Sequence, residues 1–297
     1  MKKTMMIAFA ALLALFIPVA AYAESGQKEI LIGLIPEMNV FKQKERFKPL
    51  AEYLTKKIGV KVKITILSRY GNIIERFQSE EMDGAFFGSF TGALAIQKLE
   101  VEPIARPINL DGTSTYHGFL FVRRDSGIKT VKDMKGKKMA FVEKATTAGY
   151  IFPIAYLREN GVTNIKAFFS EYYFTGSHDA AIYAVLDKNA DIGAAKHSIY
   201  ERVRLSDPRV DKELVILAES VKVPSNGLCV RKGLDKDLKK KLQDTLLNLD
   251  KDPEGKVVLD KFGAKKFIET TVADYKPVFG LVKNAGIDIK TYNYKNK

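Results

Sequence analysis

The chain has 297 residues, of which 46% are hydrophobic and 28% charged, and its formal net charge is +13. This length is sufficient for two domains of ordinary size. The basic residues are interleaved with acidic ones and form no nucleic-acid-binding motif, so we do not expect a nucleic acid partner. The only cysteine, Cys229, excludes an intrachain disulfide, and its apolar neighbours predict a buried side chain.

Residues 1–23 have the pattern of a signal peptide. Lys2 and Lys3 precede an apolar run over residues 5–19, and small residues at 21–23 come before Glu24. The apolar run is shorter than the roughly 20 residues that cross a bilayer, and no later stretch approaches that length. No cysteine lies near the expected cleavage point, so we predict no lipid anchor. The sequence therefore predicts an exported, periplasmic protein.

Strand-like and helix-like segments alternate in the next part of the chain. The patterns predict strands at 30–35, 60–67 and 84–87, and helices at 47–57, from 70 to about 81, and from 88. This alternation is typical of a parallel sheet covered by helices. In such sheets ligands bind beyond the carboxyl ends of the strands, where the helices begin.

A second α/β unit is predicted after a polar loop at 109–115. A long apolar strand over 116–124 leads into it, and a strand-like run over 215–223 leads back. Between them the patterns predict short strands at 139–142, 167–169 and 191–195, and helices at 131–134, from 146 to 159, and at 179–188. Helices at 238–248, 256–262 and 272–284 then complete the first unit.

These patterns predict an α/β fold with two lobes joined by two crossings. The first lobe comprises residues 24–115 and 223–297, and the second lobe comprises residues 116–222. A clam-shell of this kind closes on a ligand by hinge motion. Nothing in the sequence indicates an oligomer, and we expect a monomer.

Four predicted helix starts carry small or hydrogen-bonding residues, at 70–72, 89–91, 146–147 and 177–178. A helix start offers unpaired N–H groups and a partial positive charge to an anion. For any single loop, a simple helix cap is the commoner role of Ser, Thr and Asn. Four such starts, two from each lobe, predict the capture of a small oxyanion, with Ser89 among its ligands.

Short motifs follow one another in a characteristic order over nearly the whole chain after residue 24. They are Tyr116-His117, Asp125-Ser126-Gly127-Ile128-Lys129 with Lys135-Gly136-Lys137, Thr146-Thr147-Ala148-Gly149-Tyr150, Gly176-Ser177-His178-Asp179-Ala180-Ala181, and Asn248-Leu249-Asp250 with Asp252-Pro253-Glu254-Gly255-Lys256. Together they resemble the phosphate/phosphite/phosphonate periplasmic binding protein family. Members are type II solute-binding proteins of ABC transporters, so the resemblance implies that fold and a membrane permease as partner.

The resemblance implies a set of ligand contacts for a phosphorus oxyanion. Hydroxyls and backbone N–H groups of one loop would contact its oxygens, and aromatic and imidazole groups would complete the shell. These residues are Thr146, Thr147, Ala148, His178, Tyr70 and Tyr116. The family's loop usually reads Ser-Thr-Ser-Gly, so Ala148 lacks a hydroxyl and offers only its backbone.

The resemblance also implies which substituent the phosphorus atom of the ligand carries. Relatives that bind aminoethylphosphonate place two carboxylates around the ammonium, and here those positions are Ser198 and Asn226. A buried ammonium without a carboxylate would lose most of its compensation for desolvation. We therefore predict a ligand without an amine: phosphate, phosphite or a short alkylphosphonate. Lys196 is expected at the surface, as most lysines are; if it faced the cleft, it would accommodate a second acidic group on the ligand.

Zinc binding is an alternative to oxyanion binding, because exported zinc-binding proteins use clusters of histidines. His117, His178 and His197 are not closely spaced, and no acidic residue completes a ligand set, so we predict no metal. His178 opens a helix in a hydroxyl-rich loop and is predicted to bind the oxyanion. His117 is predicted to be a strand residue beside Tyr116, and the role of His197 stays open.

Catalysis is a further alternative. Ser177, His178 and Asp179 are adjacent in the chain, and adjacent residues of a helix do not face one another, so they form no triad. No glycine-rich phosphate loop or nucleophile elbow is present. We therefore expect no enzyme and no cofactor. Two alternatives stay open: a sensor that presents the same clam-shell to a receptor kinase or chemoreceptor, and a different small anion as ligand.

Overall fold

The computed structural model of the chain describes residues 29–296, so the predicted signal peptide, residues 1–23, lies outside the described part. The first elements form strands and helices in alternation. They are β1 (Glu29–Leu34), α1 (Val40–Ile58), β2 (Lys61–Ile66), α2 (Ile73–Ser79), β3 (Gly84–Phe87), α3 (Ser89–Leu99) and β4 (Glu102–Asn109). A 3₁₀ turn, Tyr70–Asn72, leads into α2.

The middle of the chain forms a second group of elements. They are β5 (Thr115–Tyr116), β6 (Gly118–Arg123), β7 (Lys138–Phe141), α4 (Phe152–Glu159), α5 (Ile165–Phe168), β8 (Glu171–Phe174), α6 (His178–Leu186), β9 (Ile192–Lys196), α7 (His197–Ser206), α8 (Arg209–Glu213) and β10 (Leu214–Glu219). A π-helical turn, Thr147–Ile151, leads into α4.

The last elements are β11 (Val223–Pro224), β12 (Gly227–Val230), α9 (Lys236–Leu247), α10 (Pro253–Phe262), β13 (Ala264–Glu269) and α11 (Lys276–Asn284). No helix described between residues 29 and 296 combines the length and apolar character needed to cross a membrane.

The strands form two larger sheets. The first has the order β13-β4-β12-β3-β1-β2, and the second the order β10-β6-β9-β7-β8. Below, the first sheet with its helices is called the first lobe, and the second sheet with its helices the second lobe. The strands β5 and β11 pair antiparallel with each other, with Val223 opposite Tyr116, and so form a two-stranded connection between the lobes.

The expected parallel sheets are mixed sheets instead. In the first lobe β1 is parallel to β2 and β3, whereas β12 is antiparallel to both of its neighbours. The strand β4 was not predicted, because Pro103 and Pro107 lack the N–H that a sheet interior requires. A register shift opposite β4 between Leu228 and Cys229 accommodates this part of the strand. Cys229 itself is fully buried, as expected.

The second lobe also departs from the predicted segments in several places. Residues 167–169 are not a strand, because the Asn164 side chain accepts hydrogen bonds from two backbone N–H groups and starts α5. The strand β8 begins later, at Glu171. The apolar run over 116–124 is interrupted at His117, which separates β5 from β6. Helices α7 and α8 and the strand β13 were not predicted at all.

The apolar core holds the two lobes together as well as each lobe separately. Both faces of each sheet are covered by buried hydrophobic clusters. One cluster contains side chains from both lobes, such as Ile35 and Phe90 with Ala145 and Ile151. Burial of apolar area is the main favourable term in folding, so this shared cluster stabilises the contact between the lobes.

Candidate functional site

A small cavity lies between the lobes, and its empty space, including the part open to solvent, is about 230 Å³. The lining side chains leave little free space between them, so the cavity suits only a ligand of a few heavy atoms. Most of the site residues predicted from the sequence line it: Tyr70, Ser89, Tyr116, Thr146, Thr147, His178 and Asn226.

Three helical segments begin at this cavity. Helix α3 starts at Ser89 after Gly88, the π-helical turn before α4 starts at Thr147, and α6 starts at His178. Their N-termini come from both lobes and bring partial positive charge and backbone N–H groups to one place. The arrangement therefore favours an anion over a neutral or cationic ligand.

The two threonines of the loop before α4 have different hydrogen-bonding roles. The Thr146 hydroxyl donates to the carbonyl oxygen of Glu143 over 2.6 Å, so at the cavity it can only accept. The Thr147 hydroxyl accepts from the backbone N–H of Phe90 over 2.9 Å. It thus joins the two lobes, and its own proton is directed to the Tyr116 side chain, a partner that a ligand oxygen could replace.

Three further hydroxyls line the cavity. Ser89 Oγ lies 2.5 Å from the hydroxyl oxygen of Tyr116 and 3.1 Å from the carbonyl oxygen of Pro224. The hydroxyl of Tyr70 is buried and has no hydrogen-bond partner among the described residues. A buried polar group without a partner is costly. The Tyr70 hydroxyl is therefore available to a ligand oxygen.

His178 is a neutral hydrogen-bond donor in this environment. Its Nδ1 accepts from the backbone N–H of Lys196 over 3.2 Å, which places the proton on Nε2. Burial outweighs the nearby carboxylate of Glu37 and lowers the pKa of His178 to about 4. An imidazole N–H in this cavity can donate to an oxyanion without carrying a charge of its own.

A buried ion pair at the cavity was not predicted from the sequence. Lys196 Nζ lies 2.8 Å from Glu37 Oε1 and 3.0 Å from Asn226 Oδ1, and both members of the ion pair are buried. The expectation of a surface lysine at 196 is therefore wrong. The expectation that no carboxylate reaches this part of the pocket is also wrong, because Glu37 was overlooked.

The charges around Glu37 keep it ionised. Burial alone would raise its pKa, but Lys196 and the Arg46 guanidinium, 3.6 Å away, outweigh burial and lower the pKa to about 2. Lys196 and Arg46 together carry one more positive charge than Glu37 neutralises. The cluster is thus suited to the neighbourhood of an anion.

Two predicted site residues do not line the cavity. Ala148 lies in the π-helical turn and packs toward Gly118 of β6, where a Cβ on Gly118 would meet it at 3.1 Å. Ser198 lines a neighbouring cavity that shares the wall of Glu37, Lys196 and Asn226. The side chain of Ala148 has turned toward the sheet. Ser198 lies in α7, two residues after Lys196.

The other two histidines lie together away from the cavity. The rings of His117 and His197 stack with centroids 4.2 Å apart. Within residues 29–296 no group of His, Cys, Asp or Glu has the arrangement of a metal site. Burial, with the neighbouring His117 and Lys196, lowers the pKa of His197 to about 4.

The loop before α4 depends on a glycine at 149. A Cβ at this position would lie 2.4 Å from Val142 Cβ and 2.8 Å from Thr146 Oγ1. Gly149→Ala is therefore expected to lower the free energy of unfolding by about 1 to 3 kcal/mol, the usual cost of overpacking. It should also reduce ligand affinity by displacing Thr146 and Thr147, measured by urea unfolding and calorimetry.

Gly280→Ala is the matched control for Gly149→Ala. Gly280 lies in α11, and a Cβ there meets no atom within 4 Å. Alanine in a helix interior is better than glycine by roughly 0.5 to 1 kcal/mol, so this variant should be slightly stabilised and bind ligand normally. Equal losses in the two variants would show that the tight contact at Gly149 is unimportant.

The two sheets, the paired connection between them and the cavity lined by helix N-termini from both lobes define a type II periplasmic binding protein. A family model described as "ABC transporter, phosphonate, periplasmic substrate-binding protein" matches residues 32–275. The chain therefore belongs to this family of substrate-binding proteins.

Individual relatives agree with this assignment. The phosphonates-binding periplasmic protein of Escherichia coli is 25% identical over 281 residues, which cover 90% of this chain and 82% of the relative. The probable ABC transporter phosphite binding protein PhnD1 of Prochlorococcus marinus is 28% identical over 264 residues, which cover 86% of this chain and 89% of the relative.

Solved structures confirm the predicted fold class. PhnD1 from Prochlorococcus marinus in complex with methylphosphonate has a TM-score of 0.77 and 25% identity, covering 87% of this chain and 98% of that chain. A binding protein component of an ABC phosphonate transporter from Pseudomonas aeruginosa has a TM-score of 0.80 and 24% identity, covering 88% and 87%.

Proposed function

We propose that this protein captures a small phosphorus oxyanion, namely a phosphonate, phosphite or phosphate, in the cavity between its lobes and delivers it to an ABC permease. The observation that carries the proposal is the convergence of three helix N-termini and several polar side chains on one small cavity. Membership of a family of phosphonate substrate-binding proteins supports the same ligand class. The relatives named as phosphonate-binding and phosphite-binding proteins support it further.

In this proposal each polar group has a defined role. His178 Nε2, the Tyr70 hydroxyl and the Thr147 hydroxyl donate to the oxygens, together with N–H groups at the start of α3. Hydrogen bonds to a charged group contribute roughly 1.5 to 3 kcal/mol each, so a few of them suffice for micromolar binding. Thr146, which can only accept, would receive the proton of a singly protonated oxyanion.

The two lobes would act as the jaws of a clam-shell. Residues 24–115 and 223–297 would form one body and residues 116–222 the other, with the β5–β11 connection between them as hinge. Contacts such as the one between Phe90 and Thr147 then form as the lobes close. We further propose that residues 1–23 are removed on export, that the mature protein is a monomer in the periplasm without a lipid anchor, and that the ligand leaves chemically unchanged.

A thermal-shift panel tests the proposed ligand class. Phosphate, phosphite, methylphosphonate and ethylphosphonate are compared with sulfate, because a ligand that binds only the native protein stabilises it by about 4 kcal/mol at 1,000 times its dissociation constant. At least one phosphorus oxyanion should raise the melting temperature by several degrees. Sulfate should raise it less, because it has no proton to give to Thr146.

Two outcomes would overturn the proposal. One is that no phosphorus oxyanion shifts the melting temperature at millimolar concentration. The other is that sulfate produces the largest shift in the panel.

A further inference from the structure

The surroundings of the Lys196 ammonium have the chemistry of a complete ammonium-binding site. A carboxylate oxygen of Glu37 lies 2.8 Å from Nζ, and the amide oxygen of Asn226 lies 3.0 Å from it. The ring of Tyr116 lies beneath the ammonium, with its centroid 4.5 Å away. A counter-charge, a neutral acceptor and an aromatic face are the groups that recognise a primary ammonium in proteins.

This ammonium lies in the proposed binding cavity. Lys196, Glu37 and Asn226 line the cavity that contains His178 and Thr147, and they also line the neighbouring cavity that contains Ser198. They therefore form the wall between the two. The backbone of Lys196 also affects the proposed oxyanion site. Its N–H donates to His178 Nδ1 and so keeps the imidazole in the tautomer that donates from Nε2.

We propose that Lys196 is a specificity-determining residue whose tethered ammonium takes the place that the amine of an aminoalkylphosphonate would otherwise occupy. This inference rests on the proposed function and narrows its ligand class to phosphorus oxyanions without an amine. The reason differs from the one suggested by the sequence. A carboxylate is present at this end of the pocket, but Lys196 and Arg46 already neutralise it, and Lys196 contacts it directly in the cavity wall.

An amine on the ligand would be repelled in this arrangement. It would lie close to the Lys196 ammonium in a region from which water is largely excluded. It would also be a third cation beside the Glu37 carboxylate, after Lys196 and Arg46. Placing like charges together in a desolvated site costs several kcal/mol. An oxyanion without an amine has the opposite relation to Lys196, because the ammonium then adds positive charge near the ligand.

The variant Lys196→Ala provides a gain-of-function test. It removes the tethered ammonium, frees Asn226, leaves Arg46 as the neighbouring cation of Glu37, and opens the volume of a lysine side chain to an aminoethyl group. The wild-type protein should bind methylphosphonate about 100-fold more tightly than 2-aminoethylphosphonate. In Lys196→Ala, calorimetry should show tighter binding of 2-aminoethylphosphonate and weaker binding of methylphosphonate. The ratio of the methylphosphonate affinity to the 2-aminoethylphosphonate affinity should fall at least about 100-fold relative to the wild-type protein.

Two control variants separate charge from volume. Lys196→Met removes the charge but keeps most of the volume, so it should weaken methylphosphonate binding without gaining the amine ligand. The double variant Lys196→Ala, Glu37→Gln opens the volume but removes the carboxylate, so the gain seen in Lys196→Ala should disappear. A gain that persists in the double variant would show that space alone, rather than the ammonium site, decides selectivity.

The outcomes distinguish this inference from the proposed function. If the wild-type protein binds no phosphorus oxyanion, the proposed function fails. If it binds methylphosphonate but Lys196→Ala gains no affinity for 2-aminoethylphosphonate, only the inference fails. If Lys196→Ala does not fold, the selectivity of the wild-type protein tests the inference instead. If the wild-type protein then binds 2-aminoethylphosphonate as tightly as methylphosphonate, or more tightly, the proposed role of Lys196 is wrong.

Discussion

Replacing Glu37 with Gln is expected to lower the free energy of unfolding at pH 7 by about 3 to 5 kcal/mol, the usual cost of removing one partner from a buried ion pair. Glu37 is 5% exposed and Lys196 7%, so solvent cannot replace the lost carboxylate. The Lys196 ammonium would keep only the amide oxygen of Asn226 and the ring of Tyr116. Urea unfolding followed by circular dichroism, without added ligand, measures the effect.

Glu29→Gln is the matched control for Glu37→Gln. Glu29 pairs with Lys63 at 2.6 Å, a shorter distance than that of the buried pair, but the two side chains are 50% and 45% exposed. Exposed pairs contribute less than about 1 kcal/mol, so this variant should unfold almost as the wild-type protein does. Similar losses in the two variants would contradict the view that burial gives the Glu37 pair its importance.

A third variant tests whether the buried pair is needed for stability at all. Replacing both partners with apolar residues of similar size, Glu37→Leu with Lys196→Met, removes two desolvated charges together. Such replacements are often neutral or stabilising in other proteins. A stable double variant with poor ligand binding would indicate that the pair serves recognition more than folding.

Some residues of the site, such as Tyr116 and Asn226, were predicted from the family resemblance, and others have local signals of their own. Ser89, Thr147 and His178 stand at helix starts, and a helix start is visible in a few consecutive residues. Ligands bind beyond the carboxyl ends of strands, and this rule predicts, without any knowledge of distances, that those helix starts lie close together. The structure places all three residues at one cavity.

The ion pair was missed because nothing local encodes it. Glu37 and Lys196 are separated by 159 positions, and the usual exposure of lysine pointed the wrong way. One signal was available. Glu37 follows the carboxyl end of β1, and Lys196 ends β9, so both satisfied the rule that located the helix starts. A charged residue at the carboxyl end of a strand is therefore as good an indicator of the binding site as a hydroxyl residue at a helix start.

The errors in the fold have a different cause. A short strand that joins an existing sheet depends on its neighbours more than on its own residues. The antiparallel insertion of β12 between β3 and β4 is therefore hard to infer from periodicity. Because β12 and β13 lie more than 100 residues after β3 in the chain, only tertiary structure shows that they complete the first sheet.

Acidification is expected to destabilise the protein through its buried histidines. The pKa of His178 is lowered to about 4, so between pH 6.5 and 4 the unfolded chain binds a proton that the folded protein does not. The contribution of a neutral His178 is complete above pH 6.5, falls as the pH falls, and is lost near pH 4. Between pH 7 and pH 4.5 this loss amounts to about 2 to 3 kcal/mol.

The variant His178→Gln isolates this contribution, because glutamine does not titrate. Unfolding free energies of the wild-type and variant proteins, measured in urea at several pH values from 7 to 4.5, should differ in slope by the amount expected for one histidine. His197, whose pKa is also lowered to about 4, should keep part of the slope in the variant. Parallel curves would show that His178 is not held neutral by burial, and its role as a neutral donor to an oxyanion would then fail.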